Sequence, residues 1–239
     1  KTIGSLGFGH VGGSMSVVEA LAVLYGDVMK VDPKNPHWAD RDWCVMSKGH
    51  AGPAMYATLG LKGFYPVEQA YTLNQPHTNF PSHTDRTKTP GVDLTTGSLG
   101  QGMSTATGAA LANKVDGRTN HVFVFVGDGE CDEGQVWEAA QFAAHYKLDN
   151  LVCFVAKFDA FGWNVIDVAD GNDVEQVYDA VEAAYQVTGK PTCIVLNTIK
   201  GKGCTFAEPS GAHSSQPSKE QWDEAIAFAE AELAKVKAQ

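Results

Sequence analysis

The stretch His121-Val122-Phe123-Val124-Phe125-Val126, running straight into Gly127-Asp128-Gly129-Glu130, decides the fold. Six residues without polar alternation, mostly β-branched or aromatic, read as a strand covered on both faces, as in a parallel sheet. Gly127-Asp128-Gly129 breaks the regular structure. A carboxylate at the carboxyl end of such a strand stands where α/β sheets hold ligands, and flanking glycines let the backbone approach an anion. Asp128 in that place can hold a Mg²⁺ that bridges phosphate oxygens. The same residues also suit a plain strand-to-helix turn, because Asp and Gly are common in turns whatever the function.

Outward from that stretch the strand signal returns at 150–155 (NLVCFV), 164–168 (NVIDV) and 192–196 (TCIVL). Helical patterns lie between. Val136, Ala139, Ala140, Phe142 and Ala143 recur at helical spacing within 134–146, and Val174, Val177, Val181 and Ala184 form one stripe within 173–185. Strand, helix, strand in succession predicts an α/β fold with a parallel central sheet and helices on both faces. Residues 218–237, rich in Ala, Glu and Lys after Pro217, predict an amphipathic surface helix. Residues 30–50 and 70–98, rich in Pro, Asn, Thr, His and Gly, read as long loops, which in a compact domain are usually functional.

The chain has 239 residues, enough for one large domain over 1–239 and short for two. A hydrophobic fraction of 44% with 19% charged residues is ordinary for a globular protein. The formal net charge of −10, with no basic stripe, excludes a nucleic-acid binder. Cys44, Cys131, Cys153, Cys193 and Cys204 are scattered without a C-x-x-C pair, which argues for a reduced, cytoplasmic protein and against a zinc or disulfide framework. No apolar run is long enough to span a bilayer.

Two further signals carry chemistry. Thr95-Thr96-Gly97-Ser98-Leu99-Gly100-Gln101-Gly102 precedes an alanine-rich helix over Met103 to Asn113. Glycines before a helix can cradle phosphate or admit a flat ring, or simply make a tight loop. Four of the eight histidines, His10, His50, His83 and His213, stand in glycine-rich or small-residue surroundings. Their spread along the chain lacks the spacing of a metal site such as H-E-x-x-H.

These segments occur in one order: GFGHVGGSMS (7–16), SKGHAGPAMYA (47–57), TTGSLGQG (95–102), GDGECDEGQVWEAA (127–140) and KLDNL (147–151). Together they resemble the N-terminal section of transketolase, over nearly the whole chain. GHVGGSMS, without the proline of GHPG, resembles the form found where transketolase is split into two subunits. The resemblance implies the thiamine-diphosphate-binding fold, in its diphosphate-type domain, and a place in the pentose phosphate pathway. It implies that Asp128 ligates Mg²⁺ (or Ca²⁺), with Gly127, Gly129 and His50 at the diphosphate and Gly97 and Leu99 against the cofactor rings. His10 and His83 would meet the sugar hydroxyls, His213 the substrate channel. Glu133 would stand at a subunit interface, in a proton link between paired sites. The implied reaction moves a two-carbon ketol unit between sugar phosphates, the cofactor acting as electron sink while histidines position and protonate. One alternative is another thiamine-diphosphate enzyme, such as deoxyxylulose-phosphate synthase or the alpha chain of a 2-oxo-acid decarboxylase. The other is a non-catalytic or regulatory transketolase-like subunit.

Two departures from the family matter. No pyrimidine-binding domain follows residue 200, so the chain would borrow one from a partner, the C-terminal transketolase subunit, in a two-plus-two heterotetramer. Further, the metal-site asparagine expected roughly twenty-five to thirty residues after Asp128 is absent. About two dozen residues are missing near 155–157, where NLVCFV runs abruptly into KFDAFGWNV. Either the protein has a segment that this sequence omits, or the segment is lost and the metal site is incomplete.

Overall fold

The computed structural model describes residues 1–155, 158, 161–211 and 213–238. Residues 156 and 157, where the missing segment is expected, lie outside the described residues.

Five strands form one parallel sheet: β1 Trp43–Met46, β2 Val122–Phe125, β3 Leu151–Phe154, β4 Asn164–Val168 and β5 Thr192–Leu196, in the spatial order β1-β2-β3-β5-β4. The helices are α1 Val11–Met15, α2 Val18–Val23, α3 Gly52–Lys62, α4 Gln101–Val115, α5 Gly134–His145, α6 Val174–Tyr185 and α7 Lys219–Lys237. The expected architecture is therefore present.

Strand geometry explains the two cores. Successive side chains point to opposite faces. Phe123 and Phe125 of β2 face one way, with Phe154 and Ile194, against α2, α3 and α6. Val122 and Val124 face the other way, with Cys153 and Cys193, against α4 and α5. Helices on both faces leave no exposed side for the inner strands, which is why β2 and β3 read as unbroken apolar runs. The run at 164–168 differs: β4 is an edge strand, half-buried for most of its length and exposed at Asp167. A polar residue is tolerated there because only one neighbour covers the strand.

The loop reading of 30–50 needs correction, since it contains β1, paired in register with β2. Segment 70–98 keeps its irregular character beyond a short 3₁₀ turn at Val67–Thr72. It is anchored by a buried ion pair: Arg41 Nε and Nη2 donate to Asp93 Oδ1 at 3.0 and 2.6 Å, and the Cys44 amide donates to Asp93 Oδ2. The helix expected at 218–237 is present, with a capping box between Ser218 and Gln221. Its Trp222 and Ala225 close a third small core with Val11, Cys204 and Ala207.

Candidate active site

The carboxyl ends of β2, β3 and β5 open into a cavity of about 380 Å³. Its wall includes Lys48, Asp128 and Lys200, with Ser16 from the turn after α1 and Asn197 from the end of β5. Asp128 is solvent-exposed. The Gly129 backbone N–H holds its carboxyl below the usual range, helped by Lys200 and Lys48. Lys48 is buried, and its ammonium donates to Ser16 Oγ at 3.2 Å. Burial drives its pKa down to about 8, against the opposing pull of Asp128 and Glu130. Two ammonium groups facing one cavity mark a site for a multiply charged anion. Sequence reasoning missed both lysines; the only signal is that Lys200 closely follows the strand-like run at 192–196.

A second cavity, of about 350 Å³, is bordered by the loops at the chain's start, by His50 and by residues 214–216. His10 and His50 line it, and the rings of His83 and His213 lie close to theirs, so that four separate segments bring four histidines together. Ring centroids are 5.0 Å apart for His10 and His50, 4.7 Å for His50 and His213, 5.2 Å for His10 and His213, and 6.3 Å for His10 and His83. Gly13 of α1 explains how the His50 ring fits. A Cβ on Gly13 would stand 3.0 Å from the His50 ring. Burial, then the neighbouring histidines His213 and His10, holds His50 down to about 3. His10 is lowered by burial and then His213, and His213 by burial and then Lys200. Neutral imidazoles both donate and accept hydrogen bonds, which suits exchange of protons with sugar hydroxyls. Among the described residues no Lys or Arg lines this cavity, so it offers no cation for an acidic sugar terminus.

Gly97 and Leu99 line neither cavity. Gly97 has φ +156°, and its nearest side chain is the His83 ring. Leu99 is half-buried. Glu133 lines neither cavity. It is exposed at the N-cap of α5, beside Gly100. The Gly127 amide is already engaged, donating to Glu130 at 3.0 Å. Glu130, to which the sequence alone assigns no role, is buried beneath the loop.

A thiamine-diphosphate diphosphate fits what is present: a polar cavity of adequate size, two ammonium groups and a carboxylate at the carboxyl ends of parallel strands. A metal is less well provided. Among the described residues no three His, Cys, Asp or Glu side chains are arranged so that they could hold a metal ion. Asp128 would need phosphate oxygens and further protein oxygens to complete a Mg²⁺ shell.

The profile of the family described as "Transketolase, thiamine diphosphate binding domain" matches residues 2–157 and 154–227. The chain belongs to the transketolase family. The 6-deoxy-6-sulfo-D-fructose transketolase subunit SqwG of Clostridium sp. strain MSTE9 is 48% identical over 97% of this chain and 92% of its own length. An apulose-4-phosphate transketolase subunit of Phocaeicola vulgatus is 35% identical over 91% and 85%. Solved transketolases superpose closely. One from Pichia stipitis gives a TM-score of 0.88 at 28% identity, covering 95% of this chain and 38% of its own. One from Leishmania mexicana gives 0.85, also at 28% identity, covering 95% and 39%. This chain is thus the size of the subunit-type relatives, and a little over a third of the solved transketolases.

Proposed function

We propose that this chain is the diphosphate-binding subunit of a split transketolase, active with a partner chain that carries the pyrimidine-binding domain. The observation that carries this reading is the pairing of two adjoining sites on one sheet edge. One is a two-lysine cavity with Asp128, the other a pocket bordered by His10 and His50, whose rings cluster with those of His83 and His213. Lys48, Lys200 and His50 hold the diphosphate, with Asp128 on its Mg²⁺ and Gly129 beside it. Gly97 and Leu99 border the rings. When bound, the cofactor supplies an electron sink for cleavage of the ketose carbon–carbon bond. His10, His83 and His213 orient the sugar hydroxyls and move protons at them. Glu133, exposed at the head of α5, is placed for a partner rather than for substrate. The anionic end of the sugar is left to the partner, since no cation among the described residues lines the histidine pocket. A two-plus-two assembly, as in the family's paired sites, and a cytoplasmic location complete the reading. Among the described residues no helix is long and apolar enough to cross a membrane.

The whole chain is one diphosphate-binding domain, with a segment unaccounted for after Val155. Two features support the gap. The family match falls into two pieces that meet at 154–157. The alignment with the Clostridium protein spans 254 positions but only 97% of this 239-residue chain, leaving roughly twenty positions without a counterpart. Intact mass decides what the gap means. A purified chain heavier than 25.5 kDa by about two dozen residues carries the segment that completes the metal site. A chain at 25.5 kDa lacks it, and the non-catalytic reading takes over.

Activity is tested by reconstituting the two chains with thiamine diphosphate and Mg²⁺ and following ketol transfer. A panel of ketose donors should include 6-deoxy-6-sulfo-D-fructose and the sugar phosphates, because the named relatives differ in their sugars. Asp128→Ala is expected to lower turnover by about 10²- to 10³-fold, the scale of losing one electrostatic anchor in a catalytic site. Use of pyruvate as donor would instead support the deoxyxylulose-phosphate synthase type. No transfer by the wild-type pair would leave the regulatory reading.

A further inference from the structure

We propose that Glu130 is a positioning residue that holds the three cofactor loops in their binding arrangement before the cofactor arrives. This rests on the functional reading above and adds to it a residue with no assigned role. Glu130 is 2% exposed. A carboxylate is buried at great cost unless hydrogen bonds satisfy it. Here both oxygens are used. Oε1 accepts from Ser47 Oγ at 2.5 Å and from the Gly100 amide at 2.8 Å, and Oε2 accepts from the Gly127 amide at 3.0 Å. Ser47 Oγ in turn accepts from the Met103 amide at 3.1 Å, in the first turn of α4.

The three donors come from three separate loops, and each is close in sequence to residues assigned to the cofactor. Ser47 precedes Lys48 and His50, Gly100 follows Gly97 and Leu99, and Gly127 precedes Asp128. Their remoteness from one another matters: Ser47 and Glu130 are 83 residues apart, and Gly100 and Glu130 are 30 apart. One buried carboxylate therefore joins the end of β1, the turn before α4 and the turn after β2. Charge-assisted hydrogen bonds to backbone amides are short and directional, so the joint fixes loop geometry rather than merely filling space. Its negative charge also faces the buried ammonium of Lys48.

Glu130→Gln isolates this role because it keeps the shape. One amide orientation sets an NH₂ against the Gly127 N–H, and the other sets it against the Gly100 N–H. Either way one backbone donor is orphaned. In the full chain, amide hydrogen exchange at Gly127 or Gly100 should become at least ~10-fold faster, while exchange in β2 and β3 is unchanged. Titration of the two-chain complex with thiamine diphosphate and Mg²⁺ should give a Kd at least ~10-fold weaker, as expected for a lost charge-assisted contact. Glu130→Asp, one methylene shorter, should not restore it. Wild-type exchange rates together with a Kd within about twofold of wild type would overturn the positioning role alone. Failure of the wild-type chain to bind thiamine diphosphate even when paired with the partner subunit would overturn the functional reading, and this role with it.

Discussion

Lys48→Met is expected to weaken binding of thiamine diphosphate by roughly 10- to 100-fold and to abolish its pH dependence above about 8. The magnitude is that of a hydrogen bond between charged partners, about 1.5–3 kcal/mol. The pH dependence follows from burial, which lowers the Lys48 pKa to about 8 from its ordinary 10.5. A bound diphosphate favours the ammonium and raises that pKa. Between about 8 and 10.5 the free protein must therefore take up a proton on binding, and affinity falls as pH rises through that window. Below about pH 8 the lysine is already charged, and affinity is flat with respect to this group. Folding stability has the opposite slope. In the same window the unfolded chain binds more protons than the folded one, so stability rises with pH. Methionine removes a poorly solvated charge and leaves an apolar stem, so the variant should melt no lower than wild type while binding far less well. Calorimetric titration at pH 7, 8 and 9, beside thermal melts, separates the two effects. Unchanged affinity at pH 7 would place the diphosphate away from Lys48.

The largest stability effect is expected at Gly102, in the first turn of α4. Alanine is a better helix former than glycine by about 1 kcal/mol, so propensity alone predicts stabilisation. Packing predicts the reverse. A Cβ on Gly102 would meet Ser47 Oγ at 2.5 Å and Ser47 Cα at 2.6 Å. Ser47 cannot retreat without breaking its bond to Glu130 and releasing the Met103 amide. Overpacking and the lost hydrogen bonds together should destabilise Gly102→Ala by about 2–4 kcal/mol in urea unfolding. Gly108→Ala, in the same helix with open space at the Cβ position, supplies the control. It should gain up to about 1 kcal/mol. If both variants are stabilised, α4 does not approach β1 as closely as described.

Four strands and four helices are legible in the sequence because their burial is local and periodic. β2 and β3 announce themselves as apolar runs since both faces are covered, and α6 does so by a single stripe. Asp128 can be picked out as well, because a carboxylate between glycines after a buried strand is a pattern within one short window. β1 escapes notice: four residues are too few to show a period, and its neighbours read as loop. α1 escapes it because Val11-Gly12-Gly13-Ser14-Met15 has poor helix propensity. Gly13 instead makes room for the His50 ring, 3.0 Å from its Cβ position.

By itself, then, the sequence determined the layers, the sheet type and the loops that carry chemistry, since each depends on residues a few positions apart. Only the tertiary structure decided the strand order, with β5 between β3 and β4, and the meeting of His10, His50, His83 and His213. It alone also showed that Lys48 is buried and that Glu130 joins three loops. Burial and hydrogen-bond partners of this kind are set by chain segments tens of residues away, and no local pattern encodes them.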